Sequence, residues 1–386
     1  MPPQRVNHVA PGARAEAVPR RLRVAVAAAL AVLYLVGVTG RWWPTPDSAI
    51  YLGLGRSLVA GEGYRFNREP HTTFPPGLPV LLAGLRLAFG PGFWAPNLLM
   101  ALCGLAAAAV ACRALARLVD GRTAFLAAAT AAMTYSFYLD SHRVLSDVPF
   151  TLVWWALIYA AARCLEGRRA WLAPAAALAA VAVTLRLGGV LLIGPLAAGM
   201  LFAPGAASPL PAGPAKRPRL AGRALAAGAV LAGAAAPAAW FYLAVARTAP
   251  EGARNYLRFT ERLVQAAPLR HLEMLGRGLW RLPLSVAELL TSQEALWPLG
   301  LVLIALMAAG VGRLWRGRAR PLTAVIVLYP LGMALLLGPN GVRPRYLLPI
   351  CPLLIAAALA GLGRCAVQVA RSEEHTSELQ SLYTIS

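Results

Sequence analysis

The chain is predicted to be an all-α polytopic membrane protein with about ten transmembrane helices and interfacial helices in its first outer loop. Three observations carry this. The composition is 58% hydrophobic and only 14% charged over 386 residues, with a mean hydropathy of +0.59. A soluble domain of that length could not hide so much apolar surface. Runs of Ala, Leu, Val and Gly long enough to cross a bilayer recur along the chain. Lipid leaves backbone polar groups only two spanning solutions, helices or a closed barrel, and these runs are far too long for barrel strands.

Ten spans are expected, at roughly 22–40, 93–116, 121–139, 148–165, 171–186, 188–203, 224–246, 296–312, 321–338 and 346–363. Residues 1–21 precede the first as a polar, basic cytoplasmic tail. The first span is followed by Arg41-Trp42-Trp43 rather than by a small-residue cleavage site, so it reads as an uncleaved anchor. Residues 76–90 are apolar but short and lie between Pro75-Pro76 and Gly90-Pro91, which suggests a re-entrant or interfacial helix. A second interfacial helix is expected from Asp47 to Ala60, with Ile50, Tyr51, Leu54 and Leu58 on one side. The stretch 171–203 is long for one span and short for two, and Arg186 in VTLRLGG marks the expected turn. Splitting it there turns the arginine-rich loops around Lys216–Arg223 and Arg313–Arg320 toward the cytoplasm, as the positive-inside rule favours. The transmembrane domain then covers 22–363, with outer loops at 41–92, 140–147, 247–295 and 339–345 and a cytoplasmic end at 364–370.

The net charge of +21 is almost entirely arginine, with Lys216 the single lysine. Positive-inside loops account for it. No soluble domain carries a basic face with interleaved aromatics, so nucleic acid is not an expected partner. The cysteines Cys103, Cys112, Cys164, Cys351 and Cys365 show no metal spacing and no disulfide framework, and read as small core residues. Residues 371–386 break with everything before them, being polar and without an apolar period, and read as a non-native tail. The 204–223 loop reads as a flexible linker. Arg254, Arg258 and Arg262 repeat every four residues and would line one face of a helix on anionic lipid.

Three of the four aspartates, Asp47, Asp140 and Asp147, fall on the same predicted outer side, together with Glu62, Glu69, His71, His142, Arg143, Arg186, Arg343 and Arg345. A carboxylate at a bilayer edge is costly to keep without a use. Helix capping is the simpler reading for Asp47, which follows Pro46, and for Asp147, which precedes Pro149. His71 and His142 read singly as ordinary loop residues; together with Glu69 or Asp140 they could hold a divalent ion, although the spacing does not single out a metal. Arg345 is either a snorkelling interfacial residue or a clamp for phosphate, whose oxygens match a guanidinium. Arg186, at the turn of a helical hairpin, needs a partner, for which a carboxylate or a lipid phosphate would serve.

The order of these pieces resembles the GT-C superfamily of polytopic glycosyltransferases, which take a sugar from a polyprenyl phosphate. The nearest pattern is that of the bacterial protein-O-mannosyltransferase-like and lipid A aminoarabinose transferase-like enzymes. Four stretches carry the likeness: PDSAIYLGLGRSLVAGEGY, HTTFPPGLPVLLAGLRLAFG, SHRVLSDVPFTLVWWALIYAAAR and RPRYLLPICPLLIAAALAGL. The resemblance implies a GT-C-like fold in a bacterial inner membrane with the active site facing outward. It implies Asp47 as catalytic base, Asp140, Asp147, His142 and Tyr51 as positioning groups for acceptor or sugar, and Arg345, Arg186 and Tyr346 at the phosphate. The partners implied are a polyprenyl-phosphate-linked sugar, a glycan, lipid or protein acceptor, and membrane lipids; no cofactor is certain. Attack opposite the departing phosphate implies inversion at the anomeric carbon. Many relatives have Asp-Glu in the first loop where this chain has Asp47-Ser48. A transporter or lipid flippase is the second reading, against which stand ionisable residues at span ends rather than the midplane and the lack of an inverted repeat.

Overall fold

The computed structural model describes residues 18–202, 220–248, 268–316, 319–337 and 342–383. The expected helix face of Arg254, Arg258 and Arg262 and most of the predicted linker lie outside them. The fold is a helical bundle with one small hairpin. Helix α1 is Arg20–Val36 and α2 is Pro46–Val59. A two-stranded antiparallel ribbon follows, β1 (Arg65–Phe66) and β2 (Glu69–Pro70), and then α3 (Gly77–Phe89). The long helices α4 (Trp94–Leu115), α5 (Gly121–Met133), the short α6 (Tyr135–Asp140) and α7 (Asp147–Leu165) come next. Helices α8 (Leu172–Leu185), α9 (Val190–Leu201) and α10 (Leu220–Thr248) lead to α11 (Pro268–Trp280) and α12 (Leu282–Thr291). The last are α13 (Trp297–Arg316), α14 (Arg320–Leu337), α15 (Pro344–Leu347) and α16 (Cys351–Tyr383).

Each segment expected to span overlaps one of these helices. Five stretches among the described residues are long and apolar enough to cross a bilayer: Trp94–Leu115, Asp147–Leu165, Leu220–Phe241, Glu294–Trp315 and Pro344–Ala366. The centre of the bundle is α7, where 72% of the apolar window is buried against 17% for Glu294–Trp315. Trp154, Trp155, Phe150, Leu157 and Ile158 on α7 are fully buried, with Tyr34 of α1 and Phe137 of α6. Bulky side chains there and small ones elsewhere let the other helices wrap it. Apolar matching alone does not drive such packing within lipid, so close van der Waals fit between small residues must. Gly310 of α13 and Gly361 of α16 face each other, and a Cβ on either would run into the backbone of the other helix.

Two expectations are corrected. The stretch 121–139 is not one helix, because Thr134 adopts extended angles (φ −64°, ψ 141°) and its hydroxyl donates back to the Ala131 carbonyl, which breaks α5 from α6. Cys365 is exposed rather than a core residue; Cys103, Cys164 and Cys351 are buried, Cys112 is half-buried, and all five are free thiols. The β1–β2 ribbon was not anticipated. Its two-residue turn takes positive φ at Asn67 (53°) and Arg68 (68°), the twist that a tight hairpin requires. The backbone of α16 continues as helix to Tyr383, through most of the segment read as a non-native tail.

Candidate functional site

The site is built on two helix starts, two tight connections and one late span. Neither aspartate expected to cap a helix does so. Helix α2 is capped by Thr45, whose Oγ1 accepts from the Ser48 N–H at 3.0 Å while the Ser48 Oγ accepts from the Thr45 N–H at 2.9 Å. This reciprocal box satisfies two otherwise orphaned donors and leaves Asp47, at the second helical position, free to point elsewhere. The N-cap of α7 is Ser146, and Asp147 makes no capping bond. Both carboxylates still lie in a first turn, where the helix dipole favours negative charge.

Each carboxylate meets an arginine remote in sequence. Arg345 Nη1 donates to Asp47 Oδ2 at 2.6 Å. Arg186 Nη1 donates to Asp147 Oδ1. Arg186 is held extended (φ −154°, ψ 116°) at the C-terminus of α8, the predicted turn. That end of α8 is packed against the start of α3 at Gly77, where a Cβ would fall 2.6 Å from the Thr184 carbonyl oxygen. The ring of Tyr346 is near both guanidiniums, 5.1 Å from that of Arg186 and 5.2 Å from that of Arg345. Such cation–π contacts add to the carboxylates in holding the two arginines at the site. Tyr329 of α14 fixes the arrangement by donating its hydroxyl to the Tyr346 carbonyl at 2.7 Å. Tyr51 of α2 and Ser146 share a hydrogen bond of 2.8 Å, joining the first loop to the start of α7.

Asp140, at the end of α6, is only 6% exposed and has Arg143 as its neighbour at 3.5 Å. Burial, reinforced by the nearby Asp147 and opposed by Arg143 and Arg345, pushes its carboxyl up to about 7. The cluster therefore gathers Asp47, Asp140 and Asp147 with Arg143, Arg186 and Arg345. It is electrically balanced when all three carboxylates are ionised and carries one positive charge when Asp140 is protonated. The Asp47–Arg345 pair is its open side, with the two side chains 25% and 32% exposed, whereas Asp147 is 4% exposed. The Nε of Arg345 is buried without a partner among the described residues. A mobile proton, a free carboxylate edge and two converging guanidiniums suit chemistry at a neutral nucleophile beside an anionic group.

The other residues singled out from sequence are placed differently. His142 is buried, with Nδ1 2.8 Å from the Tyr138 carbonyl and Nε2 2.9 Å from the Tyr34 carbonyl. Both ring nitrogens face backbone carbonyls, of which a neutral imidazole can donate to one, and the Nε2 contact is the one that reaches α1. His71 stacks on Phe74 (5.4 Å between rings), and its Nε2 accepts from the Phe74 N–H at 3.1 Å. Burial lowers its pKa, in keeping with a neutral acceptor. Glu69 is exposed on the hairpin, and no group of three His, Cys, Asp or Glu side chains converges among the described residues. Sequence reasoning missed Tyr329 and Ser146. It also missed the Thr45–Ser48 box, although TPDS carried a capping signal.

Residues 73–212 match the family model described as dolichyl-phosphate-mannose-protein mannosyltransferase. No curated protein sequence matches the chain. Among solved structures, the chain is similar to ArnT from Cupriavidus metallidurans. The apo form is 20% identical with a TM-score of 0.57, over 88% of this chain and 59% of that one. The form bound to undecaprenyl phosphate is 21% identical with a TM-score of 0.58, over 91% and 63%. It is also similar to an oligosaccharyltransferase from Archaeoglobus fulgidus tethered with an acceptor peptide, at 13% identity and a TM-score of 0.55, over 89% and 49%. The chain thus spans less than two thirds of the length of each of these proteins. The GT-C-like fold expected from the sequence is the fold it has.

Proposed function

We propose that the chain is a membrane glycosyltransferase that moves a sugar from a polyprenyl-phosphate donor to an acceptor hydroxyl or amine. The acceptor is carried on a glycan, lipid or protein, at the extracytoplasmic face of a bacterial inner membrane. The observation that carries this reading is the 2.6 Å contact between Asp47 and Arg345, a base and an anion clamp drawn from opposite ends of the chain. The similarity to an undecaprenyl-phosphate-bound ArnT supports the donor class.

In this mechanism the resting pair is exchanged. The donor phosphate competes with Asp47 for Arg345, with Arg186 and Tyr346 beside it. Bidentate guanidinium–phosphate contacts are stronger than the single contact they replace. Asp47 is then released beside the anomeric carbon. As the acceptor oxygen or nitrogen forms its bond to that carbon, Asp47 takes the acceptor proton. The carbon–oxygen bond to the lipid phosphate breaks on the opposite face, and the phosphate leaves with the electron pair, its charge offset by Arg345. Configuration at the sugar is inverted. Asp140 and Asp147 with Tyr51 bound the space for sugar and acceptor.

The test is transfer from a panel of polyprenyl-phosphate sugars in proteoliposomes. Asp47→Asn is expected to lose about 10²–10⁴-fold in rate, the usual range for a general base, measured at a temperature where the variant remains folded. Undiminished transfer by that variant would refute the assignment.

A further inference from the structure

A second polar site lies on the far side of α2 from Asp47. Ala49, Leu52, Gly53 and Arg56 recur at helical spacing and line a groove of about 340 Å³ closed by the hairpin, α3 and the start of α4. The floor is apolar, formed by Leu52, Leu82, Phe66, Phe93 and Pro96, and Arg56, Arg86 and Asn67 border it. Neither Arg56 nor Arg86 makes an ion pair or side-chain hydrogen bond among the described residues. Each stands in the last turn of its helix, where a cation is favoured. That accounts for each arginine singly; together, two guanidiniums from different helices bordering one groove make it a favourable place for an anion.

The surroundings set the depth of this groove in a bilayer. Trp42, which lines it, stacks on Phe93 at 6.0 Å, and Trp42, Trp43 and Trp94 are all exposed. Tryptophans of this kind settle at the headgroup level. Beside the groove α3 exposes Val80, Leu81, Leu87 and Phe89, 47–73% accessible, a surface for hydrocarbon chains. We propose that the groove binds the phosphate headgroup of an anionic glycerophospholipid, with Arg56 and Arg86 on the phosphate and the acyl chains along α3. The site is separate from the donor site and seats the α2–α3 unit against the membrane.

The experiment follows the melting temperature of the full chain in detergent as phosphatidylglycerol, phosphatidylcholine or inorganic phosphate is added. Phosphatidylglycerol should raise it saturably and the other two should not. Each arginine contributes about fivefold in affinity for an anionic surface, so Arg56→Gln/Arg86→Gln should move the phosphatidylglycerol midpoint about 25-fold higher. Arg56→Lys/Arg86→Lys should stay close to the wild type. Leu52→Trp fills the floor with both charges kept and should weaken the response as well, which covers a double glutamine variant that fails to fold. An equal response to phosphatidylcholine would overturn the proposal. So would reproduction of the shift by inorganic phosphate, or wild-type midpoints in both the glutamine and tryptophan variants.

Discussion

Asp140 is the acidic residue whose surroundings most oppose its charge. Its carboxyl is raised from the ordinary 3.8 to about 7, chiefly by burial and then by Asp147. A raised acid stabilises the fold fully below the unfolded value and loses that contribution as pH climbs through the folded one. Asp140→Asn, which stays neutral, should therefore melt progressively higher than the wild type as pH rises from about 4 to about 7, with the gap level above that; melting curves across this range check it. Asp147 poses the opposite case, a buried carboxylate answered by a half-buried arginine. Asp147→Ala should cost about 3 kcal/mol in stability, since Arg186 is left without its partner, and denaturant melts of that variant beside Arg186→Ala/Asp147→Ala should recover part of the loss. The identities of these residues were legible in the sequence because so few acids occur near the expected spans. Their pairing was not. Asp47 and Arg345 are 298 positions apart and Asp147 and Arg186 are 39 apart, and nothing local in either stretch says which carboxylate answers which arginine.

At the level of elements, the helix starts and the close approaches decide where those charges point. The Thr45–Ser48 box frees Asp47 from capping, and its loss should be felt twice. Thr45→Ala/Ser48→Ala is expected to lower stability by about 1 kcal/mol and to reduce transfer more than that loss explains, measured as turnover at a temperature where both proteins remain folded. Gly77 has no room for a side chain against the end of α8. Gly77→Ala should push α3 away, displace Arg186 and destabilise by about 1–3 kcal/mol, whereas Gly84→Ala on the same helix, which meets nothing, should stabilise by about 0.5–1 kcal/mol in the same melts. Periodicity located the helices well, since apolar runs are long-range features of composition. The break at Thr134 and the Asn67–Arg68 turn escaped it because each depends on one or two residues choosing a local hydrogen bond or a left-handed backbone. His142 escaped for a third reason. An imidazole beside an aspartate reads as chemistry in sequence, but here packing turns it to two backbone carbonyls instead.

In the whole molecule, ionisable groups are divided by position. The Arg117, Arg163, Arg168 and Glu166 cluster stands near the C-terminal end of α7, while the aspartates and their arginines meet at its N-terminal end. A helix of nineteen residues spans about 28 Å at 1.5 Å per residue, so the two clusters are separated by about the thickness of a bilayer's hydrocarbon core. This division, legible in sequence as the convergence of three aspartates, gives the bundle one end where carboxylates and arginines meet. In the proposed mechanism Asp47 and a lipid phosphate take turns on Arg345, which makes an unusual demand on a variant slowed in transfer. Equilibrium binding of polyprenyl phosphate to detergent-solubilised Asp47→Asn should be about tenfold tighter than to the wild type, because removing a competing charge worth about 1.4 kcal/mol leaves Arg345 free. Binding equal to or weaker than the wild type's would contradict the shared clamp and the mechanism built on it.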